Sequence, residues 1–303
     1  MNYKKIDLFY DTLDQAAMLI YEEHQYDYLT CLINASKVLL GFETKLSQEL
    51  INRIEKLFKS FDEFQKEEVR QALELLIVKG LKHLQKYPLD LMTPDSICYL
   101  YANVINEYFD GKITILDVAL GTGNLINAIS NYYPYESSLI GIERDEFLVE
   151  LAKIACELQN NNISIYYNNS LDPIYEKANL IIGDLDNYYV NEHYFPYLVI
   201  NKFNQNLLDN GLFIYLISND FFNQEKVIEF KKTFKGTLLG LIVLPETMFA
   251  KGHPGKSLLI GTNKEIDAYD MLVINMPSLN DTKNVNNTVE YIKVWTKKLK
   301  GMI

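Results

Sequence analysis

Ile115-Leu116-Asp117-Val118-Ala119-Leu120-Gly121-Thr122-Gly123-Asn124-Leu125 is the stretch whose reading decides the fold. An aliphatic run ends in an acid, passes into a short glycine turn, and continues as an apolar pattern at helical spacing. A strand, a glycine turn and a helix N-terminus in that order bring backbone N–H groups close to a ligand. Gly121 and Gly123 supply the tight turn and the missing side chains that this junction requires.

Downstream of Pro88, short β-branched or aliphatic runs alternate with helix-length segments. The predicted strands are Ile113–Val118, Ser138–Glu143, Ile163–Tyr167, Asn179–Asp184, Leu212–Ser218, Thr237–Leu244 and Ser257–Gly261. The segments between the first five suit crossover helices, as in Glu146–Leu158 and Tyr194–Leu208. Such alternation implies an α/β fold with a mostly parallel, Rossmann-like sheet and helices on both faces. Thr237–Leu244 and Ser257–Gly261 have only a short connection, so the sheet is expected to end in an antiparallel hairpin. A further strand is expected at Met271–Met276 and a terminal segment around Tyr291–Trp295. Upstream the pattern is helical throughout, with no proline before Pro88 and only Gly41 and Gly80 as glycines. Ile51, Ile54, Leu57 and Phe58, then Val69, Leu73, Leu76 and Ile77, recur at helical spacing, and Ser47-Gln48-Glu49-Leu50 resembles a helix start. The expected domains are an N-terminal helical domain of about four helices over 1–90 and an α/β domain over 91–303.

The second predicted strand ends in Gly141-Ile142-Glu143-Arg144-Asp145. An acid at that point is placed to accept hydrogen bonds from ribose hydroxyls. Dinucleotides and S-adenosylmethionine share this geometry. The dinucleotide fingerprint wants a third glycine, and Ile126 stands there instead. A leading acid without the third glycine fits S-adenosylmethionine better, since that cofactor has no pyrophosphate to seat on the helix N-terminus.

Charge supports the same choice. The chain of 303 residues has a formal net charge of −11. Residues 91–200 carry 4 basic and 15 acidic side chains, whereas residues 201–303 carry 13 and 10. The acidic middle suits a cationic sulfonium better than an anionic dinucleotide, and it would repel a phosphate backbone. Lys226, Lys231, Lys232 and Lys235, and again Lys293, Lys297, Lys298 and Lys300, form two basic groups that read as solvated faces. With 48% hydrophobic and 23% charged residues the chain has ample material for a core. No apolar run approaches the ~20 residues that span a bilayer, and the N-terminus has no signal-peptide core. Cys31, Cys98 and Cys156 are odd in number and far apart, which suggests buried thiols, a reducing cytoplasm and no metal site.

Leu91-Met92-Thr93-Pro94 followed by the Asp117–Asn124 turn resembles the adenine-specific DNA methyltransferase domain of the gamma class, found in modification subunits of type I restriction systems. It is similar also to a smaller bacterial group of class I methyltransferases of this type with no specificity subunit attached, in which the glycine turn often continues into Asn-Leu. The resemblance covers roughly residues 90–262 and, loosely, the helical region. It implies a class I methyltransferase sheet, S-adenosylmethionine as cofactor, an adenine amino group in DNA as acceptor, and a separate specificity subunit as partner. It places Thr93 near the cofactor carboxylate, Asp117, Ala119, Gly121 and Gly123 around the methionine part, and Glu143 on the ribose. Asn169 falls at the third-strand position facing the adenine amine, with Asp172 as a neighbouring alternative.

The fourth strand of that family ends in [Asn/Asp/Ser]-Pro-Pro-[Tyr/Phe], whose polar side chain and proline carbonyl orient the target amine while the ring stacks on a flipped base. Here it ends Asp184-Leu185-Asp186-Asn187-Tyr188-Tyr189. Asp184 stands at the polar position, and Tyr188 or Tyr189 is expected to supply the ring. Both prolines are absent, and the acids Asp184, Asp186 and Glu192 disfavour a nearby phosphate. A non-catalytic module keeping the fold is the rival reading. Ala250–Ser257 matches a permissive phosphate-loop pattern but is expected to be a plain strand connection, with His253 and Lys256 as candidates for acceptor contact. His193 reads as a solvated histidine.

Overall fold

The computed structural model describes residues 2–61, 63–84, 86–88, 91–249 and 254–303. Helices α1 (Tyr3–His24), α2 (Tyr28–Leu39), α3 (Gln48–Phe58) and α4 (Lys66–Leu84) form the N-terminal bundle. Each of the first three starts where a side chain satisfies an orphan N–H: Asn2 accepts from Lys4, Asp27 from Thr30 and Ser47 from Leu50. Leu13, Ile20, Leu29, Leu32, Leu50, Ile54 and Leu76 are fully buried between them. Gly80 sits mid-helix because α2 passes so close. A Cβ there would lie 2.2 Å from Leu29 Cδ2.

The α/β part continues as α5 (Asp95–Tyr108), β1 (Ile113–Asp117), α6 (Asn124–Tyr132), β2 (Ser137–Glu143), α7 (Glu146–Leu158), β3 (Ile163–Tyr167) and β4 (Ala178–Asp184). A small hairpin, β5 (Tyr189–Val190) and β6 (His193–Tyr194), leads to α8 (Phe195–Phe203) and β7 (Leu207–Ser218). Then come α9 (Val227–Thr233), β8 (Thr237–Val243), β9 (Lys256–Thr262), β10 (Leu272–Asn275) and α10 (Thr282–Lys300). The main sheet has eight strands in the order β10-β8-β9-β7-β4-β1-β2-β3. β9 runs antiparallel to both β7 and β8, and every other neighbouring pair is parallel. All eight expected strands are present, and the expected antiparallel hairpin is β8–β9.

One expectation needs correction. No helix joins β3 to β4. Asn169, Ser170, Asp172 and Pro173 occupy that connection, and their side chains compete with a helix ladder: Asn169 Oδ1 accepts from Leu171 N at 2.9 Å and Asp172 Oδ2 from Asn169 N at 3.1 Å. The terminal segment around Tyr291–Trp295 lies inside the 19-residue α10, capped by Asp281. Trp295 packs there against β8, where a Cβ on Gly240 would come within 2.7 Å of its ring.

One core lies on the sheet face covered by α5, α6 and α10, and a second on the face covered by α8 and α9. The bundle core is continuous with the α/β part, because Leu148, Leu151, Ile154 and Ala155 of α7 are built into it. No described helix is long and apolar enough to cross a membrane.

Candidate functional site

The strand order reverses between β1 and β4, and open α/β sheets bind ligands in the crevice at the carboxyl ends of the strands there. A cavity of about 270 Å³ opens at this point. Gly121 (φ 55°) and Gly123 (φ 75°) both adopt the left-handed region, which turns the chain from β1 into α6. Gly141 lets that turn lie against β2, since a Cβ there would be 2.7 Å from Leu120 Cδ2.

Glu143, at the end of β2, braces the turn. Its Oε2 accepts from Gly121 N at 2.9 Å, and its Oε1 accepts from Arg144 N and Asp145 N at 2.8 and 2.9 Å. A carboxylate has about four acceptor sites, so one more hydrogen bond remains within its capacity. Asp117 lies beneath the turn, fully buried, its Oδ1 accepting from Ala119 N at 3.0 Å. Burial pushes its carboxyl up to about 7. The Ala119 N–H opposes that shift, and the charges of Glu143 and Asp184 add to it. Asp145 caps α7 and also accepts from Tyr87 OH at 2.9 Å, which ties the segment before α5 to the cavity rim.

At the other end stands Asp184, the last residue of β4. Lys256, the first residue of β9, reaches across β7 to place Nζ 2.6 Å from Asp184 Oδ1. Thr93 Oγ1 is 3.5 Å from Asp184 Oδ2, and the Thr93 carbonyl accepts from Asn124 Nδ2 at 2.9 Å. Thr93 thus lies between the glycine turn and Asp184. Tyr188 stacks on Phe195 with centroids 4.5 Å apart, and the Arg144 guanidinium lies 6.0 Å from the Tyr188 ring.

Of the residues singled out from sequence, Thr93, Ala119, Gly121, Glu143, Asn169, Asp184 and Tyr188 line this one cavity. Asp117 and Gly123 support it from behind the turn. Tyr189 does not reach it. Successive strand residues point to opposite sides, and Tyr189 OH donates to Gln224 Oε1 on the outer surface instead. Asp172 is spent on the β3–β4 loop, and His193 is exposed outside the cavity. His253 lies outside the described residues. Ser257 continues into β9 rather than a helix, as the plain-connection reading of Ala250–Ser257 expects. Lys293, Lys297 and Lys300 are paired with Glu290, Glu107 and Asp110. Sequence reasoning passed over Tyr87, Arg144, Asp145, Ser170 and Phe195 as cavity residues. Arg144 and Asp145 directly follow Glu143 and were legible by proximity, whereas nothing local marked Tyr87 or Phe195. All three cysteines are free and buried, and no described cluster of His, Cys, Asp and Glu is arranged to hold a metal.

Comparison with known proteins agrees with this architecture. A family model described as the YtxK N-terminal helical domain matches residues 7–81. Uncharacterized protein YtxK of Bacillus subtilis (strain 168) is 27% identical over 336 residues, covering 99% of this chain and 100% of that protein. A candidate class I S-adenosylmethionine-dependent methyltransferase from Listeria monocytogenes superposes with a TM-score of 0.88 at 23% identity, over 98% of this chain and 100% of that one. The methyltransferase subunit of a type I restriction-modification system from Streptococcus thermophilus superposes with a TM-score of 0.64 at 12% identity, over 96% and 93% of the two chains. The chain therefore has the fold of the class I S-adenosylmethionine-dependent methyltransferases, extended at its N-terminus by a helical region that matches that of YtxK.

Proposed function

We propose that this chain is an S-adenosylmethionine-dependent methyltransferase whose acceptor is an amino group, with the adenine amine of DNA as the first acceptor to test. One observation carries the reading: a single cavity gathers the glycine turn and Glu143 at one end and Asp184 with Tyr188 at the other. The residues present fit the cofactor. Glu143 keeps acceptor capacity for ribose hydroxyls, Asn169 lines the wall beyond it, and Thr93 with the Gly121 turn offers polar groups to an amino-acid end. Glu143 supplies negative charge suited to a cation, and Asp117 adds to it in its ionised form. When bound, S-adenosylmethionine supplies a methyl group on a positively charged sulfur.

The chain's own residues would act mainly by positioning. Asp184 accepts a hydrogen bond from the acceptor amine and turns its lone pair toward the methyl. Lys256 holds the Asp184 carboxylate in place. The Tyr188–Phe195 stack forms an aromatic wall against which a planar base can lie. The cavity lies just below the ~300–1,000 Å³ of small-molecule clefts, so a duplex base would have to enter flipped out. Similarity to restriction-modification subunits supports DNA as substrate and a separate specificity subunit as partner, and the acidic middle of the chain makes such a partner useful for holding the backbone.

A second reading, a cofactor-binding module without turnover, is favoured by the Asp184–Lys256 pair, which occupies part of the carboxylate that an acceptor would use. Methyl-labelled S-adenosylmethionine incubated with the chain and with unmethylated DNA, RNA or protein separates the two. Label transfer that is lost in Asp184→Ala, with cofactor affinity kept, supports the enzyme. Cofactor binding with no transfer to any acceptor supports the module. Transfer to RNA or protein alone would overturn the DNA acceptor.

A further inference from the structure

Arg70 on α4 has about 1% of its side chain exposed, so its guanidinium must be partnered on every side. It donates to Glu67 and Glu74 on its own helix and to Asp95 in the first turn of α5. Its Nη1 also donates to Asn124 Oδ1 at 2.9 Å. Burial works to lower its pKa, but the hydrogen bond and charge of Glu67 and the charge of Glu74 raise it overall, so it stays a cation. Glu67 accepts in turn from Asn131 Nδ2 and Tyr132 OH, which fixes the far end of α6 to the same helix.

Asn124 opens α6 at the glycine turn, and its Nδ2 donates to the Thr93 carbonyl at 2.9 Å. Both Asn124 and Thr93 line the cavity. An amide has an acceptor end and a donor end, whereas an arginine has donors only. Arg70 therefore holds the Asn124 oxygen toward its guanidinium, and the NH₂ end is left to donate to the Thr93 carbonyl and toward the Glu74 carboxylate.

We propose that Arg70 is a positioning residue of the cofactor site, so that the N-terminal helical bundle sets affinity for the cofactor through Asn124 and Thr93. The inference rests on the cofactor reading given above. A chain of two hydrogen bonds, Arg70 to Asn124 and Asn124 to Thr93, runs from the bundle to the cavity wall.

The test is calorimetric titration of the full chain with S-adenosylmethionine, with thermal unfolding of each variant alongside. Arg70→Lys keeps a donors-only side chain and is expected to hold affinity within about threefold. Arg70→Gln admits either orientation of Asn124 and is expected to weaken binding by about tenfold or more. Because Arg70→Gln strands three carboxylates and can fail to fold, Asn124→Asp is the second variant. It keeps the oxygen toward Arg70 and removes the donor to Thr93, so a folded protein with about tenfold weaker binding is expected. Wild-type affinity in a folded Arg70→Gln or Asn124→Asp chain, or Arg70→Lys no better than Arg70→Gln, overturns the inference alone. Absence of binding by the wild-type chain overturns the cofactor reading first and this inference with it.

Discussion

Lys256 Nζ lies 2.6 Å from Asp184 Oδ1, and neither side chain is more than one-fifth exposed. The two residues are 72 positions apart and meet because β9 inserts antiparallel beside β7, with Ser218 registered against Lys256. Removing one partner of such a pair leaves an uncompensated charge, which costs far more than the intact pair contributes. Lys256→Met is expected to lower stability by about 3 kcal/mol. The double variant Lys256→Met/Asp184→Asn should recover part of that loss. Urea unfolding of the four proteins measures it, and a double-variant loss equal to the sum of the two single losses would show that the pair is not coupled.

Glu143 joins two roles, since it braces the Gly121 N–H and faces the cavity. Glu143→Ala is expected to weaken S-adenosylmethionine binding by about tenfold or more, one to two charge-assisted hydrogen bonds being lost. A modest fall in unfolding temperature should accompany it, because three backbone N–H groups lose their acceptor. Titration calorimetry reads the first effect and calorimetric unfolding the second.

Asp117 gives the site a pH dependence. Its carboxyl, pushed up to about 7 by burial, is half protonated near neutrality. A cation binds better to the ionised form, so affinity for S-adenosylmethionine should rise as pH increases through about 7. Asp117→Asn should flatten that profile. In the chain without cofactor the sign is opposite. The folded state holds the proton more tightly than the unfolded one, so this group favours folding below about pH 4, and that contribution is lost as pH rises through about 7. Binding measured at pH 6, 7 and 8 checks the first trend, and a flat wild-type profile would remove Asp117 from the site's electrostatics.

Gly123 must be glycine for two reasons at once. Its φ of 75° is unfavourable for an L side chain, and a Cβ would press to 3.3 Å from Ala152 Cβ on α7. Gly123→Ala is expected to cost about 1–2 kcal/mol and to weaken cofactor binding, because the turn cannot shift without moving Ala119 and Gly121. Gly111→Ala, also at positive φ but in open space, is the comparison. It should cost a similar backbone penalty with cofactor affinity unchanged.

Local chemistry determined most of the fold. The Asp117–Asn124 junction, Glu143 at the next strand end, the aliphatic runs through Ser257–Gly261 and the capping side chain of Ser47 are short-range signals, and each appears in the structure at or within a few residues of its expected place. The β3–β4 connection departs from the expected crossover helix because its Asn, Asp and Pro residues favour turns.

What the sequence left undecided depends on contacts between distant segments. Tyr188 and Tyr189 are equivalent as neighbours, and only the placement of the β5–β6 hairpin turns one into the cavity and the other toward Gln224. Lys256 stands out in the sequence only as a candidate for acceptor contact, and its pairing with Asp184 follows from the strand order that brings the two together. Arg70 reads as one more charge on an amphipathic helix until α4, α5 and α6 bury it together. Strands and turns follow from the sterics and hydrogen bonding of adjacent residues. Which charges meet is decided by how helices and strands pack, and that packing turned a recognisable cofactor motif into a site with a specific floor, wall and acceptor end.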